Sequence, residues 1–141
     1  MSKTVLFIIF FLIFSIQPSS ARKLNSKCKN NPNGVVKKFH RNGNMKYFLV
    51  CRKGQLHGVY RGYYRNGNLK YETRYAYNKL NGYLRTYYKD GTLKATSNYR
   101  DNKLYGKHKG YYKNGRLKEY FYYQNGKKLE SFKYDKEGNL K

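Results

Sequence analysis

The stretch Asn66-Gly67-Asn68-Leu69-Lys70 decides the fold, because close copies of it recur at a fixed step along the chain. The copies are Asn42-Gly43-Asn44-Met45-Lys46, Asp90-Gly91-Thr92-Leu93-Lys94, Asn114-Gly115-Arg116-Leu117-Lys118 and Glu137-Gly138-Asn139-Leu140-Lys141. Their glycines are 24, 24, 24 and 23 residues apart. Two more series keep the same phase, namely Gly58, Gly82, Gly106 and Tyr75, Tyr99, Tyr123. Self-similarity at a fixed period identifies a repeat architecture.

Each repeat predicts two strands and two turns. Asn-Gly or Asp-Gly between alternating residues is a strong hairpin signal, because both turn residues need positive φ. A second two-residue turn is predicted at Gly54-Gln55, Asn78-Lys79 and Asn102-Lys103. The remaining residues of each period give two strands of about ten residues. We therefore predict an all-β fold, an elongated single-layer antiparallel meander of β-hairpin repeats over residues 35–141.

The turn positions also predict the strand register. With Asn66-Gly67 as a two-residue loop, Tyr64 opposes Leu69, and the later repeats pair Tyr88 with Leu93 and Tyr112 with Leu117. The same register predicts Gly–Tyr pairs in which a ring covers a bare backbone. These pairs are Gly62–Tyr71, Gly58–Tyr75, Gly82–Tyr99 and Gly106–Tyr123. Because a single layer has no second layer to pack against, we expect no dry core, only half-buried tyrosines.

Residues 1–21 have the pattern of a secretory signal peptide. A basic start is followed by an apolar run over residues 5–16 and small residues before Ala21. An uncleaved anchor helix is the alternative, but a bilayer span needs about 20 apolar residues. We predict cleavage near Ala21 and a secreted or cell-envelope protein, periplasmic or extracellular. Residues 22–34 are expected to form a partly ordered N-terminal cap.

The two cysteines, Cys28 and Cys51, are expected to form a disulfide. Thiols tend to pair in an oxidising compartment. Strict repetition would place them two strands apart, roughly 10 Å, and a disulfide needs Cα atoms within about 7 Å. The turn-rich run Asn30-Asn31-Pro32-Asn33 would let the N-terminal segment fold over Gly34 and bring the cysteines together.

The charge of the chain points to an anionic partner. The formal charge is +24, and loss of the leader removes one lysine and leaves +23. Solubility needs far less charge than this. Basic and aromatic residues recur on one predicted face, and they are our polyanion-binding candidates: Lys46, Arg61, Tyr63, Lys70, Arg85, Tyr87, Lys94, Lys109, Tyr111 and Lys118. An anionic polymer, an anionic lipid surface or an acidic protein would suit them; a merely solvated face is the alternative.

Enzyme chemistry is not indicated. His40, His57 and His108 are far apart in sequence, so no metal site is predicted, and His40 takes a tyrosine position of the repeat. No serine has a nucleophile-elbow context, and no glycine motif for a nucleotide is present. We predict no cofactor and no small-molecule substrate. An enzyme that acts on a surface polymer remains the least favoured alternative.

The run Tyr-Tyr-Lys-Asn-Gly-Arg-Leu-Lys at 111–118, with Lys-Leu-x-Gly at 79–82 and 103–106, resembles the MORN-type repeat. It most resembles a bacterial variant found in a family described as antitoxins. The resemblance covers roughly residues 34–141. It implies a single-layer sheet of successive hairpins and a binding or scaffold role without catalysis. It also leaves open an immunity or antitoxin-like protein that binds and neutralises a protein toxin.

Overall fold

The structure, a computed structural model, describes residue 26 and residues 28–141, so the predicted leader lies outside the described residues. Ten antiparallel strands form one open sheet, and neighbours in the chain are neighbours in the sheet, with the short β7 and the longer β8 both pairing with β6. The strands are β1 Gly34–Phe39, β2 Met45–Arg52, β3 Gln55–Tyr63, β4 Leu69–Ala76, β5 Lys79–Tyr87, β6 Leu93–Arg100, β7 Lys103–Leu104, β8 Gly106–Tyr111, β9 Leu117–Gln124 and β10 Lys127–Lys133. The predicted meander is confirmed.

The Asn-Gly sites form three-residue loops, not the predicted two-residue ones. The Gly67 amide donates to the Tyr64 carbonyl at 3.1 Å, and the Tyr64 amide donates to the Asn68 carbonyl at 2.9 Å. Gly67 has φ +90°, as a type I turn followed by a left-handed residue requires. Tyr63, not Tyr64, therefore pairs with Leu69. The later repeats shift in the same way, with Tyr87 opposite Leu93 and Tyr111 opposite Leu117.

A β-bulge after each loop restores the predicted register. Between the Tyr63–Leu69 and Gly62–Tyr71 pairs, β4 has one extra residue, Lys70. The extra loop residue and the extra strand residue cancel. Gly62 thus opposes Tyr71, as predicted, and the other predicted pairs of this series are also confirmed, namely Gly58–Tyr75, Gly82–Tyr99 and Gly106–Tyr123.

Two-residue turns join the strands at the ends opposite the three-residue loops. Tyr77 and Asn78 have φ 47° and 67°, and they connect the paired residues Ala76 and Lys79. Positive φ at both central residues defines the type I′ turn, whose twist suits a hairpin. Each of these turns begins one residue nearer the N-terminus than predicted. The equivalent turns are Lys53–Gly54, Asp101–Asn102 and Asn125–Gly126.

One face of the sheet is buried, and we call it the inner face. Leu49 and Leu56 on it are 0% and 1% exposed, so the expectation of no dry core was wrong. Tyrosines of this face pack on one another, and burial raises the pKa of Tyr75 and Tyr99 to about 12. The inner face also includes Tyr47, Cys51, Tyr60, Tyr71, Thr73, Leu80, Leu84, Ser97, His108, Phe121 and Tyr123.

The N-terminal segment closes the first end of this core. Cys28 is fully buried and bonded to Cys51, with 5.4 Å between their Cα atoms, which confirms the predicted disulfide. The Pro32 carbonyl accepts the Gly54 amide at 2.9 Å, and the Asn33 side chain accepts the Lys53 amide at 2.9 Å. The segment therefore crosses the turn between β2 and β3 instead of adding a regular strand.

The Gly–Tyr pairs have two different physical reasons. A Cβ on Gly62 would lie 2.2 Å from the Cζ atom of Tyr71, so this ring does cover a bare backbone. A Cβ on Gly82 would instead meet the Cβ of Arg74 at 3.4 Å, and Gly82 has φ +112°. Gly82 is needed for its backbone conformation at an irregular strand pairing, not as a seat for Tyr99. The predicted seats at Gly58, Gly82 and Gly106 are corrected accordingly.

Candidate functional site

The lysine that follows each three-residue loop is the extra residue of a β-bulge. The register shifts place this residue at Lys46, Lys70, Lys94 and Lys118. Bulges re-aim a side chain. The Nζ atom of Lys70 lies 5.6 Å from the centre of the Tyr64 ring, a cation–π distance. The equivalent pairs are Lys94 with Tyr88 at 5.5 Å and Lys118 with Tyr112 at 5.7 Å.

The tyrosines under these lysines tie each loop to the next hairpin. The Tyr64 hydroxyl donates to the Tyr87 carbonyl at 2.8 Å, so its side chain crosses the strand between them. Tyr88 bonds the Tyr111 carbonyl, and Tyr112 bonds the Tyr134 carbonyl, both at 2.8 Å. His40 takes the first place in this row, with Nε2 3.1 Å from the Tyr63 carbonyl, as its repeat position predicted.

The series Arg61, Arg85 and Lys109 lies on the face opposite the inner face. Arg61 and Tyr63 alternate with Gly62, whose missing side chain would point at Tyr71 on the inner face. Arg61 Nε lies 2.5 Å from Glu72 Oε2. Arg85 Nη1 lies 3.7 Å from the other carboxylate oxygen, Oε1. Burial alone would raise the pKa of Glu72, but its hydrogen bonds with Arg61 and Tyr83 lower it. Two of the predicted cations are thus partly neutralised.

The ten candidates therefore form two groups, one just after the three-residue loops and one on the face opposite the inner face. The Glu72 carboxylate that pairs with Arg61 is only 12% exposed, so this ion pair is partly buried. Lys109 continues the arginine series and pairs across the sheet with Thr96 and Tyr120. The loop group is Lys46, Lys70, Lys94 and Lys118; the opposite group is Arg61, Tyr63, Arg85, Tyr87, Lys109 and Tyr111.

A second row of cations, which was not predicted, lies beside the bulge lysines. The first residue of every three-residue loop is basic and exposed: Arg41, Arg65, Lys89, Lys113 and Lys136. These residues recur in the same phase as the Asn-Gly signal and could have been found from it. Each loop thus carries two cations, one in the loop and one just after it. We call this end of the sheet the basic edge, formed by loops 41–43, 65–67, 89–91, 113–115 and 136–138 with Lys46, Lys70, Lys94, Lys118 and Lys141.

Side-chain hydrogen bonds hold neighbouring loops together. Asn42 and Asn44 both donate to the Arg65 carbonyl at 2.8 Å. Asn66 and Asn68 both donate to the Lys89 carbonyl at 2.9 Å. Equivalent loops lie two strands apart, roughly 9.6 Å. The cations of the first three loops are therefore carried on loops that are bonded to one another at a regular spacing.

The comparison with protein families fits this geometry. Three segments match the family described as the MORN repeat variant, at residues 32–47, 56–77 and 80–101. Residues 32–101 thus carry three MORN-variant repeats. The segment 56–77 begins in β3, passes through the loop at Gly67 and ends in the type I′ turn after β4. No curated protein matches the chain significantly. The MORN-variant geometry continues through β8–β10, beyond the last matched segment.

Acidic residues interrupt the basic edge of the MORN-variant array only in its later loops. Asp90 replaces the asparagine of the third loop, and a carboxylate cannot donate to the next loop as Asn66 does. Instead, Lys113 Nζ lies 3.9 Å from the Asp90 carboxylate. Asp135 accepts the backbone amides of its own loop, including Gly138 at 2.7 Å. The loops at 41–43 and 65–67 contain no acid.

The inner face of the last repeat holds a polar cluster that sequence reasoning missed. The Ser97 hydroxyl is 2.7 Å from His108 Nδ1, and His108 Nε2 is 3.7 Å from Glu119 Oε1. His108 also stacks on Phe121, with ring centres 5.4 Å apart. The nearby His108 lowers the pKa of Glu119 despite the opposing effect of burial. Ser97 and His108 are 4% and 3% exposed, so the cluster is packed inside the sheet face.

From residue 28 onward, no group of three His, Cys, Asp or Glu side chains is arranged to hold a metal ion. In the same part of the chain, no helix has the length and apolar character needed to cross a membrane. Helical backbone is found at Ser26, Cys28 and Lys29.

Proposed function

We propose that this MORN-variant protein is a non-enzymatic binding protein whose basic edge holds a linear polyanion. The observation that carries the proposal is the row of loops, each presenting two cations at a constant step. A linear polyanion repeats its charge along its length, so it can contact successive loops in the same way. The MORN-variant family and the excess of positive charge both support a binding role.

The loops are prepared for binding before a ligand arrives. Asparagine amides bond the first three loops to one another, and the hydroxyls of Tyr64, Tyr88 and Tyr112 each bond the next hairpin. A surface that is already ordered loses less conformational entropy on association. Lys70, Lys94 and Lys118 lie over tyrosine rings, and this cation–π contact orients their ammonium groups.

We further propose that the protein acts outside the cytoplasm. The leader pattern at residues 1–21 supports export. The Cys28–Cys51 disulfide supports an oxidising compartment, where such bonds persist. Polyanionic polymers of envelopes and surfaces would then be available to the basic edge.

Salt-dependent binding tests the proposal. The chain from Arg22 onward is titrated with a labelled duplex oligonucleotide, long-chain polyphosphate and anionic vesicles at several salt concentrations. We expect a polymer to bind with an affinity that falls steeply with salt, by roughly 0.9 in log–log slope per DNA phosphate neutralised. Absence of polymer binding at physiological salt would contradict the proposal. A salt-resistant one-to-one complex with an envelope protein would then favour the toxin-neutralising alternative.

Charge reversal locates the site. The test variant is K70E/K94E/K118E, and the control is K103E/K107E/K127E, which changes the net charge equally at exposed lysines near the type I′ turns. We expect the test variant to bind more weakly, with a shallower salt slope, and the control to remain close to the wild type. Equal losses in both variants would mean that bulk charge, not the basic edge, binds the polymer.

A further inference from the structure

The basic edge has a spacing that selects one class of polyanion. We infer that its ligand is an extended acidic polysaccharide with about one carboxylate or sulfate on each sugar. This inference rests on the proposed function and names the ligand of the same site. It depends on three observations: the distance between successive loops, the number of cations per loop, and the lysines that cover the tyrosine rings.

The step between loops matches a disaccharide. Equivalent loops are two strands apart, roughly 9.6 Å. The bond from the Tyr64 hydroxyl to the Tyr87 carbonyl shows that a single tyrosine side chain spans this step. Two sugars of an extended polysaccharide cover about the same length. Successive disaccharides can therefore meet successive loops without drifting out of phase.

The number of cations per loop also matches the number of acidic groups per disaccharide. Each loop supplies two, such as Arg65 and Lys70 in the second loop, and both are exposed. A disaccharide with one acidic group per sugar supplies two anions over the same length. Duplex DNA instead carries one charge per ~1.7 Å of its axis, so one row of loops would neutralise only a small share of it.

The tyrosine rings argue against a single-stranded nucleic acid. Proteins that bind such strands offer aromatic faces on which bases stack. Here the rings of Tyr64, Tyr88 and Tyr112 each have a lysine ammonium over them. Their hydroxyls are bonded to backbone carbonyls, which fixes the rings in place. The edge thus recognises charge rather than bases.

The loops are not equivalent, and the first two form the strongest subsite. Their first residues are Arg41 and Arg65, whose planar guanidinium groups can hold a sulfate or carboxylate with two parallel hydrogen bonds. The third and fourth loops carry lysines there, and Lys113 is close to Asp90. We therefore expect the short oligosaccharides to bind first at loops 41–43 and 65–67.

Size-defined oligosaccharides test the inference. The probes are even-numbered oligomers of a sulfated hexosamine–uronate polymer, from two sugars upward, and single-stranded oligonucleotides with the same numbers of charges. We expect the affinity to rise about fivefold to tenfold with each disaccharide, as two exposed ion pairs would give. The rise should stop once the row of loops is filled. At equal charge the oligosaccharides should bind more tightly than the oligonucleotides.

Matched variants distinguish a failure of the polysaccharide inference from a failure of the proposed polyanion binding. R41Q/R65Q should weaken the binding of the shortest oligomers most, and R52Q/R74Q, which removes two exposed arginines elsewhere, should not. If affinity follows charge alone, with oligonucleotides or anionic vesicles equal to oligosaccharides, the inference is overturned while polyanion binding stands. If no polyanion binds, both are overturned.

Discussion

The first hairpins and the last repeat of this sheet have the same backbone but different interiors. In β2–β5 the inner face is built from Leu49, Leu56 and Leu80, and the Cys28–Cys51 disulfide closes it. In β8 and β9 the inner face contains His108 and Glu119, and every residue of β10 is exposed. The difference shows that a fixed apolar core does not define this repeat.

What the two regions have in common is the chemistry of the loops. Both have three-residue loops with a left-handed glycine, a bulge lysine after the loop, and a tyrosine that reaches the next hairpin. These features are set by residues at the basic edge. The constant part of the array is thus the part we propose to bind a ligand, and the variable part is the packing beneath it.

The largest expected effect is on the first region. Replacing both cysteines by serine, C28S/C51S, should lower the free energy of unfolding by about 2–4 kcal/mol, because the bond constrains the unfolded chain. Denaturant unfolding measures the loss, and hydrogen exchange locates it. Protection should fall mainly in β1–β3. A comparable fall in β8–β10 would contradict the distinction between the two regions.

The next effect concerns the ring that covers Gly62. Gly62→Val should destabilise the protein by about 1–3 kcal/mol, because the new side chain would overlap the Tyr71 ring. Thr86→Val, at the equivalent position opposite the small Ala95, is the control and should cost little. Thermal unfolding of both variants checks this. Recovery of part of the loss in G62V/Y71A would support the overlap as the cause, and equal melting temperatures for the two single variants would count against it.

Acid should act on the last repeat through Glu119. Because the pKa of Glu119 is lowered in the folded protein, this residue contributes to folding stability. The full contribution is present above its pKa in the unfolded chain, about 4.3. That contribution is lost as the pH falls through the lower, folded value. Hydrogen exchange between pH 6 and pH 3 should show β8 and β9 losing protection with acid, and E119Q should remove that dependence. The same acid response in E119Q would exclude Glu119 as its source.

The smallest expected effect lies at the third loop. Asp90→Asn restores an amide that can donate to the next loop, as Asn66 donates to Lys89, and should stabilise by no more than about 1 kcal/mol. Asn66→Asp is the reverse control and should destabilise by a similar amount. Chemical denaturation of both variants measures the change. A loss in both would mean that the loop bonds are not interchangeable between repeats.

Much of the fold followed from the 24-residue step, but the contacts of some side chains did not. A two-residue loop and a three-residue loop with a bulge give the same pairing of Gly58 with Tyr75, so the sequence could not distinguish them. They differ at Lys70, which becomes the extra residue of a bulge after a three-residue loop, so its contact with the Tyr64 ring was not predicted. The cluster of Ser97, His108 and Glu119 was missed because its members are eleven residues apart and meet only across strands.

The buried core was missed for a related reason. A single layer of strands would leave its faces half exposed, and the pattern gave no sign of how tightly the inner face packs on itself. The turn-rich segment before Gly34 did predict the disulfide, because a chain that folds back can bring Cys28 to Cys51. The burial of Cys28 in one cluster with Leu49 and Leu56 is a tertiary effect and has no local signal.

The salt dependence of polyanion binding by K70E/K94E/K118E, set against K103E/K107E/K127E, tests the central claim most directly. The two variants have the same net charge and differ only in whether the basic edge is altered. If the basic edge is the site, the first variant has a weaker affinity and a shallower log–log slope, and the second keeps those of the wild type. Identical affinities and slopes in the two variants would contradict the claim.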